Sequence, residues 1–271
     1  APVMRIGIIS ETWPPEINGV ALTVHGLAAG LAARGHAVEV VRPRQACPSA
    51  AEPQFETVFV RGAALPRYPG LRFGLPAGQT LRERWARERP DAIYVATEGP
   101  LGGSALRAAN ALRIPAATGF HTRFDSYAGH YGLRWLTPLV RGHLRRFHRR
   151  AAATLVPTDA LAQELAALGV DNARLLRRAV DTQLFHPGQR DPALRAQWNA
   201  DADTPVMLYV GRIAAEKNLE LAVRAFRAAQ QRLPALRYVW VGDGPARAAL
   251  QAVNPDFVFA GTQRGEALAR H

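Results

Sequence analysis

Arg212 and Lys217 bracket a short turn, Val210-Gly211-Arg212-Ile213-Ala214-Ala215-Glu216-Lys217-Asn218. The turn follows an apolar run over 206–210 and precedes a stretch of helical periodicity, so it is expected between a strand and the start of a helix. Two cations beside the free N–H groups of a helix N-terminus suit a diphosphate, because side-chain charge and helix dipole act in the same direction. Lys217 is the single lysine among 34 basic residues. An ammonium is a compact point charge where a guanidinium is a planar fork, so keeping one lysine amid arginines points to a need for that charge geometry. An ordinary basic surface accounts for the same residues without a ligand. Gly242-Asp243-Gly244-Pro245 follows the next strand of the same half. Gly242 and Gly244 there fit a tight turn at the same edge, a weak phosphate-binding signal by itself.

The first half offers two further loops. Glu11-Thr12-Trp13-Pro14-Pro15-Glu16-Ile17-Asn18-Gly19 joins the opening strand to the first helix. Gly19 at the helix start would let backbone N–H groups approach an anion. Pro14, Pro15 and Gly19 also suffice to shape a turn with no ligand at all. The loop is not a GxGxxG, so a dinucleotide fingerprint is absent. Gly119-Phe120-His121-Thr122 comes directly after a strand. A histidine at that edge can donate a hydrogen bond to a hydroxyl or phosphate, or titrate near neutral pH; a lone histidine is as often structural.

These loops need a scaffold that gathers strand ends. Short apolar runs at 3–10, 38–41, 57–61, 92–96, 116–119 and 154–157 alternate with helical stretches, the pattern of a parallel sheet covered on both faces. Val20, Val24, Leu27, Ala28 and Leu31 fall on one face of the first helix, and Gly35 is placed to end it. Ligands of such sheets bind at the carboxyl ends of the strands. The pattern breaks near Phe185-His186-Pro187-Gly188, which divides the chain into lobes 1–187 and 188–271. The second lobe is expected to hold a short helix over 191–198, strands at 206–210, 238–241 and 257–260, and a long helix carrying Leu219, Ala222, Val223, Phe226 and Leu233, stopped by Pro234. Three strands leave an open edge and an uncovered face, so the second lobe reads as incomplete.

Over 136–151, Leu136, Leu139, Val140, Leu144, Phe147 and Ala151 are expected on one helical face, with Arg141, Arg145, Arg146, Arg149 and Arg150 mostly on the other. A basic amphipathic helix of this kind can lie on anionic lipid, or be an ordinary lobe helix with a solvated face. The formal net charge of +12 favours anionic partners. No helix-turn-helix, zinc or RNP pattern accompanies it, so nucleic acid is not expected. No apolar run approaches the length of a spanning helix, and the run after Arg5 is too short for a signal peptide. The expected place is the cytoplasm, peripheral on the inner face of the membrane, with Met4 as the start. Cys47 is the one cysteine, and neither a disulfide, a metal site nor a cofactor is expected.

Taken together, these residues resemble the GT-B glycosyltransferases of the family 4 type, most of all its bacterial α-mannosyltransferases and glycolipid-forming hexosyltransferases. The resemblance covers nearly the whole chain. Pro14-Pro15-Glu16-Ile17-Asn18-Gly19-Val20 is similar to the family's first loop, and Phe120-His121-Thr122-Arg123-Phe124-Asp125 to the segment holding its active-site histidine. Val180-Asp181 with Phe185 and Pro187 resembles the exit from the first lobe. The stretch from Gly211 to Asn218 resembles the Arg/Lys diphosphate clamp, the most specific match of all.

The resemblance implies a retaining transferase that binds an NDP-hexose, GDP-mannose favoured over UDP-hexoses, mostly on the second lobe. Arg212 and Lys217 would neutralise the departing diphosphate without a metal, His121 would contact the donor sugar or phosphate, and Gly19 would let its loop close over the diphosphate. Asn18, Glu98, Thr122 and Asp125 are the expected acceptor-side residues, for a lipid or glycan acceptor. The family's paired glutamates, spaced E-x7-E, would fall beyond His271, so the chain as it stands is expected to be inactive or impaired. Two rival readings stay open: a sugar-nucleotide epimerase on the same two lobes, and a catalytically dead protein that binds phosphoglycans or anionic lipid.

Overall fold

A computed structural model describes residues 2–16, 19–44, 52–64, 72–121 and 137–271. The chain divides between Ala179 and Val180 into two compact units.

In the first unit, β1 (Arg5–Ile9), β2 (Ala37–Pro43), β3 (Glu56–Val60), β6 (Ala92–Val95), β7 (Ala116–Gly119), β8 (Ala153–Val156) and β9 (Ala173–Leu175) form one sheet in the order β3-β2-β1-β6-β7-β8-β9. Every pairing in it is parallel. The order reverses at β1, where β2 lies on one side and β6 on the other, so the topological switch point falls between β1 and β6. Both faces are covered, which is why the strands read as continuous apolar runs rather than alternating ones. On one face Ile9, Val41, Ile93 and Val95 pack with Leu81 and Trp85 of α2 (Gly78–Arg87) and with Leu101, Ala105 and Ala109 of α3 (Pro100–Ala111). On the other, Ile8, Val38, Val40 and Tyr94 pack with Val24 and Ala28 of α1 (Gly19–Ala33) and with Trp13 and Phe55. Gly35 does end α1: its φ is 84°, and its N–H donates to the Ala32 carbonyl at 2.9 Å.

Two features were not expected. A small antiparallel hairpin, β4 (Gly62–Ala64) with β5 (Arg72–Gly74), packs beside α3, and β9 adds a seventh strand. The basic segment forms α4 (Thr137–His148), which buries Leu144 and Phe147 and leaves Arg141, Arg145 and Arg146 exposed, with Arg149 and Arg150 exposed just past its end. Leu139, expected on the buried face, is 69% exposed. At about 100° per residue it lies roughly 140° around the helix from Leu144, whereas Val140 is one turn away on the buried side. Leu136 lies outside the described residues. After β8, α5 (Asp159–Ala167) is capped by Thr158, whose hydroxyl accepts from Leu161 N–H, and it leads into β9.

The second unit holds α6 (Pro192–Gln197), β10 (Val206–Val210), α7 (Leu219–Arg232), β11 (Arg237–Val241), α8 (Arg247–Val253), β12 (Val258–Gly261) and α9 (Gly265–Arg270). Its sheet is parallel in the order β10-β11-β12. Phe226 and Leu219 of α7 pack with Tyr238, Trp240 and Phe257 on one face; Trp198 and Ala200 pack with Val239 and Val241 on the other. Leu208 and Val210, on β10 at the end of that order, are 44% and 54% exposed. Leu233, expected inside the long helix, is instead the residue after its last turn and is half exposed.

Candidate functional site

The carboxyl ends of β1, β6 and β7 bring three loops together at the switch point of the first unit. Glu11, two residues past β1, is 8% exposed. Its Oε1 accepts from the N–H groups of Leu101 (3.1 Å) and Gly102 (3.4 Å) in the first turn of α3, and its Oε2 from Gly74 N–H (3.2 Å) in β5. The N-cap of α3 is Gly99, which has no side chain to cap with. A carboxylate reaching across from another loop satisfies those donors instead. A Cβ at Gly99 would lie 2.1 Å from Glu11 Oε1, so only glycine leaves room for it.

Burial, above all, pushes the Glu11 carboxyl up from its ordinary 4.5 to about 7; the Glu98 charge adds to this, and the hydrogen bonds from Gly102, Gly74 and Leu101 oppose it. Between those two values the folded chain holds a proton that the unfolded chain has released, so stability falls as pH rises. Urea unfolding is expected to show a loss of up to about 3 kcal/mol from roughly pH 4.5 to 7, with Glu11→Gln removing that part of the slope. Identical slopes for the two proteins would show that Glu11 does not titrate there.

Glu98, just past β6, is buried rather than presented to solvent. Its carbonyl accepts from His143 Nε2 at 2.9 Å, and its Oε1 lies 3.5 Å from Nε2 of the fully buried His148. His121 follows β7 and shares a 2.6 Å hydrogen bond through Nε2 with the Tyr94 hydroxyl. Burial, with the Arg178 charge second, lowers the His121 pKa to about 4. At that value the imidazole is neutral at pH 7. Gly19 is the first residue of α1, and a Cβ there would meet Arg178 Nη1 at 3.5 Å. An exposed guanidinium thus stands beside the α1 N-terminus and acts on His121. The sequence did not single out Arg178, because nothing separates it from the other arginines until β9 carries it to this edge. Asn18, Thr122 and Asp125 lie outside the described residues, as does Cys47.

In the second unit the loop after β10 is pinned to the loop after β11 by backbone alone. Gly211 N–H donates to the Val241 carbonyl (2.9 Å), Ile213 N–H to the Asp243 carbonyl (2.9 Å) and Ala246 N–H to the Ile213 carbonyl (3.1 Å). A Cβ on Gly242 would sit 1.9 Å from the Gly211 oxygen, and one on Gly244 2.3 Å from the Ile213 oxygen. Gly242 and Gly244, singled out as phosphate-side residues, are thus required first for this backbone contact. The loop then makes a 3-10 turn over Ala215–Lys217, and Asn218, left-handed at φ 51° and ψ 50°, redirects the chain into α7. Arg212 Nη1 pairs with Glu216 Oε1 at 3.1 Å. Lys217 is exposed and has no ion-pair partner among the described residues. Both cations therefore stand on one turn at the carboxyl edge of β10, just before a helix.

Residues 17–184 match the model for Glycosyltransferase Family 4, and residues 190–253 match that for Glycosyl transferases group 1. The chain belongs to glycosyltransferase family 4. Among family relatives, the GDP-mannose-dependent alpha-mannosyltransferase of Corynebacterium glutamicum is 33% identical over 98% of this chain and 64% of that protein. The enzyme of the same name from Mycobacterium tuberculosis is 31% identical over 98% and 70%. The alpha-monoglucosyldiacylglycerol synthase of Acholeplasma laidlawii is 28% identical over 91% and 65%. The chain thus spans about two thirds of the length of these curated relatives. Of solved structures, sucrose-phosphate synthase from Thermosynechococcus elongatus superposes with a TM-score of 0.71 at 19% identity, covering 98% of this chain and 72% of that one. The catalytic domain of starch synthase IV from Arabidopsis thaliana, bound to ADP and acarbose, gives 0.66 at 14%, covering 100% and 76%. At such identities these likenesses show the fold, which is the α/β GT-B class with Rossmann-like units.

Proposed function

We propose that this family 4 chain binds a nucleoside-diphosphate hexose and serves a retaining transfer of that hexose, mannose in preference, to a lipid or glycan acceptor. The observation that carries the reading is the Arg212–Lys217 turn, held by backbone contacts at the carboxyl edge of β10 and leading into α7. The names of the mannosyltransferase relatives support GDP-mannose as donor, and that of the diacylglycerol synthase supports a lipid acceptor. Charge accumulates on the leaving diphosphate as the glycosidic bond breaks, and cations fixed beforehand stabilise that state most. His121, neutral and hydrogen-bonded, would offer the sugar or phosphate a hydrogen bond, beside Arg178 and the α1 N-terminus.

No helix among the described residues is long and apolar enough to cross a membrane. Arg141, Arg145, Arg146, Arg149 and Arg150 are all exposed on or just after α4, with Leu139 protruding beside them. That surface suits peripheral contact with an anionic lipid face.

One preparation tests donor and surface together. Calorimetry is expected to show GDP binding more tightly than UDP. Reversing Arg145, Arg146 and Arg149 to Glu should abolish co-sedimentation with anionic vesicles and leave GDP affinity unchanged. UDP binding tighter than GDP moves the donor to a UDP-hexose, and absence of binding to both overturns the donor reading. Vesicle binding that survives the reversal makes α4 a scaffold element only.

A further inference from the structure

Tyr94 and His121 share their hydrogen bond over a glycine. A Cβ on Gly119 would stand 2.3 Å from the Tyr94 hydroxyl oxygen and 2.5 Å from His121 Nε2. Any other residue at 119 would occupy the space in which the two groups meet. Their rings stand nearly perpendicular, at 87°, with centroids 6.3 Å apart, so the phenol reaches the imidazole edge at Nε2 and not its face. The other ring nitrogen, Nδ1, is buried and has no hydrogen-bond partner among the described residues.

A phenol–imidazole bond of this kind has two possible proton arrangements. In the first, Tyr94 donates to Nε2 and the ring proton sits on Nδ1. In the second, Nε2–H donates to the phenol oxygen, and the phenol proton must find another acceptor. Among the described residues, the second arrangement leaves two groups unpaired in buried surroundings, the Tyr94 O–H and the Nδ1 lone pair, and the first leaves one, the Nδ1–H. Tyr94 keeps its proton, because burial and then the Glu98 charge push its pKa well above the ordinary range. Burial and Arg178 in turn disfavour an imidazolium.

We propose that Tyr94 is a positioning residue whose hydroxyl donates to His121 Nε2 and so fixes the neutral imidazole as the Nδ1–H tautomer, with Gly119 supplying the room for that bond. The ring nitrogen without a partner among the described residues is then a donor. On the reading of His121 as a sugar- or phosphate-contacting residue, on which this consequence rests, the ring meets its ligand as a hydrogen-bond donor at Nδ1 once that buried nitrogen is uncovered, and does not take up a proton. A residue whose ring nitrogen is aimed by a second group acts through orientation and tautomer, as ligating histidines do when their other nitrogen is held.

The test needs no ligand, so it stands apart from the donor reading. Long-range proton–nitrogen NMR of the uniformly nitrogen-labelled chain gives the two ring-nitrogen shifts of each histidine, and the His121 pair is assigned as the signals lost in His121→Gln. In the native chain Nε2 is expected at the unprotonated position and Nδ1 at the protonated one. Tyr94→Phe keeps the ring and removes only the hydroxyl; both shifts should move toward the averaged values of a tautomer mixture. Gly119→Ala, which intrudes on the same bond without touching either partner chemically, should move them the same way, and it carries the test should Tyr94→Phe not fold. A protonated Nε2 in the native chain, or shifts unchanged by the variants, overturns the proposal. Failure of the chain to bind GDP or UDP would count against the donor reading and leave the tautomer result standing.

Discussion

Lys217→Ala is expected to weaken GDP binding by about 1.5–3 kcal/mol, the loss of a charge-assisted hydrogen bond, which is roughly a tenfold to hundredfold rise in Kd. The magnitude follows from how the two cations of the turn are placed. Arg212 is paired with Glu216, so binding a diphosphate there exchanges one anion for another. Lys217 is exposed and unpaired among the described residues, so its ammonium is the uncompensated charge on the turn. Its own backbone N–H is committed to the Ala214 carbonyl at 3.0 Å, which fixes where the side chain starts. Lys217→Arg should restore only part of the affinity, since a planar fork does not reproduce a point charge at that position. Isothermal titration of the native chain and both variants checks this, and an affinity unchanged in Lys217→Ala removes the clamp.

Gly242→Ala is expected to destabilise the second unit by about 3–5 kcal/mol, at the upper end for a single substitution. The added Cβ would overlap the Gly211 carbonyl oxygen, 1.9 Å away, at a residue whose φ is 140°, a region alanine avoids. Nothing flexible lies in the way; the obstacle is backbone, and that backbone is the start of the Arg212 loop. The same change should therefore lower GDP affinity in whatever fraction stays folded. Hydrogen exchange of the β11 amides reports this unit's own stability, and native protection in Gly242→Ala would mean that the two loops can separate without penalty.

The strands of both units were legible because a parallel sheet buried on two faces writes itself as apolar runs between turn residues. The 38–41 and 238–241 runs are the plainest cases. The places of the candidate residues followed from the same pattern, since His121, Gly19 and Arg212 come directly after strands or at helix starts. Shorter elements were not legible. β4, β5 and β9 have three residues each and each carries arginine, glycine or both, so no periodicity marks them. The roles of Glu11 and Tyr94 were hidden for another reason. Glu11 caps a helix 90 residues away in sequence, and Tyr94 reads as one more aromatic in a core strand. One clue did exist: Glu98-Gly99-Pro100 opens a helix with no capping side chain, so its free N–H groups had to be met from elsewhere. Leu139 shows the opposite error, an apolar residue assigned to a face that the helical repeat does not allow it.

The span of Glu11 has a consequence for ligand thermodynamics. One carboxylate fastens the β1 loop to β5 and to α3, partners 63 and 90 residues distant along the chain, while Trp13 is buried two residues later and its indole N–H donates to Glu52 at 2.9 Å. The root of the loop, Glu11 to Trp13, is thus tied to distant parts of the first unit before anything binds, so an anion at the α1 N-terminus would not have to order those three residues, and its association should carry that much less entropic penalty.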